Sequence, residues 1–226
     1  QEEGIVLTKP FQVQAEEYSP PAPASPSVQR PASRSCEKVI ISALPDSIKY
    51  QNAKDETKPI NIVKEALQSR GLKSETKPSV EMEDGFFLKV TDMYGQEEVN
   101  AIRSNDVESL RKLSADGTNL ECGNRFGETI IHLACRRSHR DLVKFLIDEV
   151  GVSVRVCDDY GRTPMHDACW RAEPDLELLD MLIDRAPELL MLSDKRGHTP
   201  LDYARREHWS VLVPFLLERT AKFQPV

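Results

Sequence analysis

The stretch Asp158-Asp159-Tyr160-Gly161-Arg162-Thr163-Pro164-Met165-His166-Asp167-Ala168-Cys169-Trp170 decides how this chain folds, because altered copies of it stand on both sides. Upstream is Asn124-Arg125-Phe126-Gly127-Glu128-Thr129-Ile130-Ile131-His132-Leu133-Ala134-Cys135. Downstream is Asp194-Lys195-Arg196-Gly197-His198-Thr199-Pro200-Leu201-Asp202-Tyr203-Ala204. Gly127 and Gly161 are 34 residues apart and Gly161 and Gly197 are 36 apart, while the apolar triplets Phe145-Leu146-Ile147, Met181-Leu182-Ile183 and Phe215-Leu216-Leu217 keep nearly the same phase. A period in the mid-thirties marks a repeat architecture. The longer third copy places a two-residue insertion near Ala172-Glu173-Pro174, between two helices.

Each copy reads as a helix pair. Thr163 suits an N-cap and Pro164 a first helical position, where a missing N–H costs nothing. Thr199-Pro200 repeats the device. Met165 and Ala168 share one face, as do Ile131 and Ala134, and alanine lets a second helix approach closely. Leu142, Val143, Leu146 and Ile147 give that second helix a core stripe. Such a unit cannot bury its apolar surface alone and must stack on its neighbours.

The segment Gly161-Arg162-Thr163-Pro164-Met165-His166-Asp167-Ala168 resembles the ankyrin pattern Gly-x-Thr-Pro-Leu-His-x-Ala with one conservative change. The copy from Gly127 lacks the proline and the copy from Gly197 has Asp202 where the histidine belongs. A first unit with Ala101, Leu110, Leu113 and Gly117 lacks the turn altogether. The resemblance implies an all-α fold: an α-solenoid of helix-turn-helix repeats with short β-hairpin-like loops, divided at about 96–123, 124–157, 158–193 and 194–220. Pro214 falls in the last outer helix, which is expected to begin near Ser210. Trp209 is expected to seal that end of the stack.

Residues 1–94 have no repeating partner and read as a largely disordered arm. Tyr18 to Pro26 is Pro- and Ser-rich and offers too little apolar surface to order itself. Pro20 and Pro23 have PxxP spacing, for which a linker is the preferred reading. Within the arm, the spacing of Ile62-Val63 and Ala66-Leu67 predicts a short helix over 60–70, and Phe86 to Val90 reads as a strand or docking segment laid against the first repeat.

Composition narrows the function classes. Of the 226 residues 39% are hydrophobic and 30% charged, and the net charge is −7. Residues 1–95 carry −2 and residues 96–226 carry −5, so bulk charge gives no argument for nucleic acid. No apolar run is long enough to cross a membrane. The chain begins without Met, so a processed form or a fragment is expected. Five cysteines, Cys36, Cys122, Cys135, Cys157 and Cys169, are an odd number and favour reduced thiols in the cytoplasm or nucleus.

His132-Leu133-Ala134-Cys135 and His166-Asp167-Ala168-Cys169 are both H-x-x-C, a spacing that raises zinc. Equivalent positions on stacked helices stand about 8–10 Å apart, whereas zinc holds its ligands at about 2.0–2.3 Å. The histidines are therefore expected to bond backbone groups of adjoining turns, and the cysteines to fill space. The same separation disfavours a Cys135–Cys169 disulfide. No nucleophile with an adjacent base is legible, so the expectation is no enzyme, no metal and no cofactor.

What the ankyrin resemblance implies for binding lies on the hairpins and at the ends of the first helices. Carried onto this sequence, those positions are Arg125, Phe126, Glu128, Arg136 and Arg137, then Asp159, Tyr160, Arg162, Trp170 and Arg171, then Lys195, Arg196, His198, Arg206 and Glu207. Eight are basic and three acidic, a surplus of five positive charges on a domain of net −5. Guanidinium pairs well with carboxylate or phosphate, and exposed rings supply anchors. The expectation is thus a monomeric interaction module or adaptor that binds an acidic or phosphorylated segment of another protein and takes no small-molecule substrate. Anionic nucleic acid or phospholipid headgroups stand as the alternative partner. Charge reversal at Arg136, Arg171 and Arg206 is expected to abolish capture and leave the melt intact.

Overall fold

The computed structural model describes residues 57–226; the Pro/Ser-rich run, the PxxP spacing and Cys36 lie outside the described residues. Three units repeat a common plan. The first has α2, Gln96–Arg103, and α3, Val107–Ala115. The second has α4, Ile130–Arg137, and α5, Arg140–Lys144, whose last turns, Phe145–Val150, widen to π-helical. The third has α6, Pro164–Cys169, and α7, Leu176–Arg185, followed by a 3₁₀ turn at Pro187–Met191. The inner helices pack in succession, α2 on α4 and α4 on α6, and α6 on the turn that follows in the next unit. Ala101, Ala134 and Ala168 are all buried at these contacts, which is why a small residue recurs there.

The fourth unit departs from the plan. Its inner helix is one 3₁₀ turn, Pro200–Tyr203, then a second at Arg206–His208, before α8, Trp209–Leu217. Helix α8 begins at Trp209 rather than Ser210, so Pro214 is its sixth residue and removes an interior hydrogen bond.

Each hairpin is built the same way. The side-chain oxygen of Asp158 accepts from the amides of Tyr160 at 2.9 Å and Arg162 at 2.8 Å. Asp194 does this for Arg196 and His198, and Asn124 for Phe126 and Glu128. Successive hairpins are tied by backbone bonds, Asp159 N to Phe126 O and Lys195 N to Tyr160 O. At Gly127 φ is +75°, and a Cβ there would stand 3.2 Å from the backbone of Asp158, so both the turn and the next hairpin's approach call for glycine.

Residues 57–94 are an ordered part of the fold, not an arm beside it. Helix α1, Pro59–Ser69, buries Ile60, Ile62, Val63, Ala66 and Leu67 against α8 and the C-terminal turn. Arg70 fastens it by donating to the carbonyl of Phe223 at 2.7 Å, and Phe223 itself is fully buried. It is α1 that covers this end of the stack; Trp209 is half-buried and donates to the Ala204 carbonyl.

From α1 the chain runs back along the units as a strap, against their order. Strand β1, Lys77–Pro78, pairs in parallel with β4, Leu192–Ser193, matching Lys77 to Leu192. The Leu88 amide donates to the Arg155 carbonyl at 2.8 Å. Strand β2, Asp92–Met93, pairs in parallel with β3, Cys122–Gly123, matching Asp92 to Cys122. Thus the 86–90 segment meets the connection between the second and third units, and the first is met by 92–94. Every such contact lies where an outer helix hands over to a hairpin.

Candidate functional site

The candidate site is carried by the hairpin tips and the ends of α4 and α6, and Ser79 of the strap reaches the second of these tips, where a Cβ on Gly161 would stand 3.4 Å from it. Phe126 is 50% exposed, Tyr160 61% and Trp170 44%. Arg125 stacks over Phe126 at 4.6 Å, and Arg162 stands 5.3 Å from the Tyr160 ring and 5.9 Å from that of Trp170. Trp170 in turn meets Tyr203 at 5.8 Å, and Arg196 lies 5.8 Å from Tyr203. Tyr160, Arg162, Trp170, Tyr203 and Arg196 form one continuous strip. Tyr203 was not among the positions carried over from the repeat pattern.

Several of the expected basic contacts are committed internally. Arg136 is half-buried; its guanidinium bonds both carboxylate oxygens of the buried Asp167 at 3.1 Å and also pairs with Glu128. Burial works against the Arg136 charge, but Asp167 and Glu128 outweigh it and hold the group protonated. Burial pushes the Asp167 carboxyl up, and His132 and Arg136 pull it back. Arg162 pairs with the buried Asp158 at 2.5 Å, and Arg196 with Asp194 at 3.4 Å. Counting those three aspartates reduces the surface surplus from five positive charges to two.

This corrects the reading of Arg136 as a contact residue: its reversal would strand a buried carboxylate, so the melt would not stay intact. Arg162 and Arg196 are likewise shared between the surface and their hairpins. The aspartates responsible sit on neighbouring or motif positions, and the one-period offset of Asp167 from Arg136 was the available signal.

Other positions face outward. Arg125, Arg137, Asp159, Lys195, His198, Arg206 and Glu207 are exposed. Arg125, Arg137 and Lys195 have no carboxylate partner among the described residues. Arg206 lies over the Trp209 ring at 6.0 Å. Arg171 is half-buried and donates to the Arg136 carbonyl at 3.1 Å.

The H-x-x-C residues have structural work. His166 Nδ1 accepts from the Thr163 amide at 3.0 Å, and Nε2 donates to the His198 carbonyl of the next hairpin at 3.2 Å. His132 repeats this with Thr129 and the Arg162 carbonyl. Burial pushes His166 down to about 4, so it is neutral at pH 7 and this tautomer is fixed. In the fourth unit Asp202 stands at the histidine's place and accepts from the Thr199 amide at 2.8 Å. Burial raises the Cys122 and Cys169 thiols to about 12 and that of Cys135 well above its ordinary value. None is a ready nucleophile. Among the described residues no group of His, Cys, Asp and Glu is placed to hold a metal ion, and no helix is long and apolar enough to cross a membrane.

Residues 99–189 match the family model for ankyrin repeats in three copies. Among similar proteins is the SMC5-SMC6 complex localization factor protein 1 of Bos taurus, 30% identical over 104 residues, which are 46% of this chain and 9% of that protein. A putative ankyrin repeat protein of Rickettsia bellii is 27% identical over 54% of this chain and 67% of its own length. The putative ankyrin repeat protein YahD of Escherichia coli is 26% identical over 50% of this chain and 58% of its own length. The chain therefore spans under a tenth of the localization factor and well over half of the two bacterial proteins. The match ends before the shortened fourth unit, whose hairpin and Thr-Pro turn keep the motif while its inner helix does not. With the motif, its hairpins and the inter-unit histidine bonds all in place, residues 99–189 are a run of ankyrin repeats.

Proposed function

We propose that the units stack as an α-solenoid and act as a non-catalytic adaptor, binding an acidic or phosphorylated protein segment across the hairpin tips and the ends of α4 and α6. Ankyrin repeats are in general protein-interaction modules. The observation that carries the partner chemistry is the row of exposed rings Phe126, Tyr160 and Trp170, set among Arg125, Arg137 and Lys195 that have no carboxylate partner among the described residues. Rings anchor a segment and the unpaired cations select for negative charge. The four cysteines among the described residues are unbridged, which suits a reducing compartment, the cytoplasm or nucleus.

Fluorescence anisotropy with short labelled peptides tests this. Acidic peptides should bind at least about tenfold more tightly than neutral peptides of equal length, and Tyr160→Ala/Trp170→Ala should remove about 2 kcal/mol or more of that affinity. Equal binding of neutral peptides, or tight binding by the double variant, would overturn the reading. Preferential binding of single-stranded nucleic acid or anionic vesicles over the peptides would instead favour the anionic-polymer alternative.

A further inference from the structure

Among the described residues, four buried side-chain polar atoms have no hydrogen-bond partner, and three of them are neighbours: Ser138 Oγ, His139 Nε2 and Arg171 Nε. Ser138 closes α4 in the left-handed conformation, φ +51°, and turns the chain so that His139 caps α5. Arg171 arrives from the next unit, its Nη1 held on the Arg136 carbonyl at 3.1 Å, so its guanidinium lies at the same helix end. Arg137 is exposed beside them, and neither arginine has a carboxylate partner among the described residues. Burial, Arg137 and Arg171 together lower the His139 pKa, which places both cations near a neutral ring. The equivalent cap residue two units later, His208, differs: its Nε2 meets the Ala172 carbonyl.

The Arg171 guanidinium, the Ser138 hydroxyl and the His139 imidazole thus meet at one helix end with bonding capacity unused, Arg137 is exposed beside them, and neither arginine has a carboxylate partner among the described residues. A carboxylate offers two oxygens, whereas a phosphoryl group offers three and about two negative charges. We propose that Arg137, Ser138, His139 and Arg171 form an oxyanion pocket for the phosphoryl group of a phosphorylated serine or threonine in the partner segment. The pocket rests on the reading of this face as the binding surface and sets one position on it.

The test is a ¹⁵N NMR titration of the full chain with inorganic phosphate at constant ionic strength, with acetate in parallel. Amide signals of residues 137–139 and 171 should shift saturably with phosphate, and acetate should bind at least about fivefold more weakly. Arg137→Gln, on an exposed side chain that leaves the fold untouched, should weaken phosphate at least about threefold, and Arg137→Gln/Arg171→Gln about tenfold or more. Shifts that do not saturate, that map elsewhere, or that Arg137→Gln leaves unchanged overturn the pocket, as does equal binding of acetate. If unphosphorylated acidic peptides still bind through Tyr160 and Trp170, only the pocket has failed. If phosphate binds here while those peptides ignore both rings, the pocket stands and the wider reading of the face falls.

Discussion

Arg136 shows how much a repeat-surface cation can differ from a free charge. It bridges Glu128 in its own unit to Asp167 in the next, and Asp167 is only 1% exposed. Removing one member of such a pair leaves the other buried and uncompensated. Arg136→Met should therefore lower stability by about 3 kcal/mol, and Arg136→Met/Asp167→Asn should recover much of the loss in a denaturant double-mutant cycle. Strictly additive losses would show that the pair does not act as a unit. His166 makes a pH-dependent contribution. Its folded pKa is about 4 against about 6.5 unfolded, so between these values the unfolded chain binds more protons and stability falls as the pH falls. Urea melts from pH 7 to pH 4 should lose about 3 kcal/mol from this group, a loss that His166→Asn should remove. The motif position of His166 was plain in the sequence. Its acceptor, the His198 carbonyl, became legible only once one hairpin was known to sit above the next.

At the scale of elements, the helix pairs could be read from period and capping chemistry, whereas the strap could not. Its bonds are backbone to backbone, through two-residue strands and the single Leu88 amide, with residues 30 to more than 100 positions away, and such pairing leaves no side-chain signature. The spacing of Ile62, Val63, Ala66 and Leu67 announced a helix, yet nothing local tells that its apolar face meets α8 some 150 residues later. The fold makes that contact consequential, because a terminal unit has no neighbour to cover it. Leu67 is fully buried, so Leu67→Ala should cost about 3 kcal/mol. In hydrogen exchange the loss should first appear as faster exchange over α8 and residues 220–223; uniform change across all units would contradict a local capping role.

At the scale of the whole molecule, ion pairs join each unit to the next: Arg111 to Glu149, Arg140 to Glu177, Arg155 to Glu188, Arg185 to Asp148 and Arg219 to Asp180. All are offset by about one period, so the repeat that fixed the fold also encoded which charges are spent internally. Most are at least partly exposed and individually weak. They explain why a count of basic residues overstated the surface charge. The strap lies along the helix-to-hairpin connections, leaving Phe126, Tyr160 and Trp170 on open surface. The most direct measurement is an NMR map of an acidic peptide bound to the full chain. The account predicts shifts concentrated on residues 125–128, 136–139, 159–162, 170–171 and 195–198. Shifts confined to α1, the strap or the outer helices would contradict it.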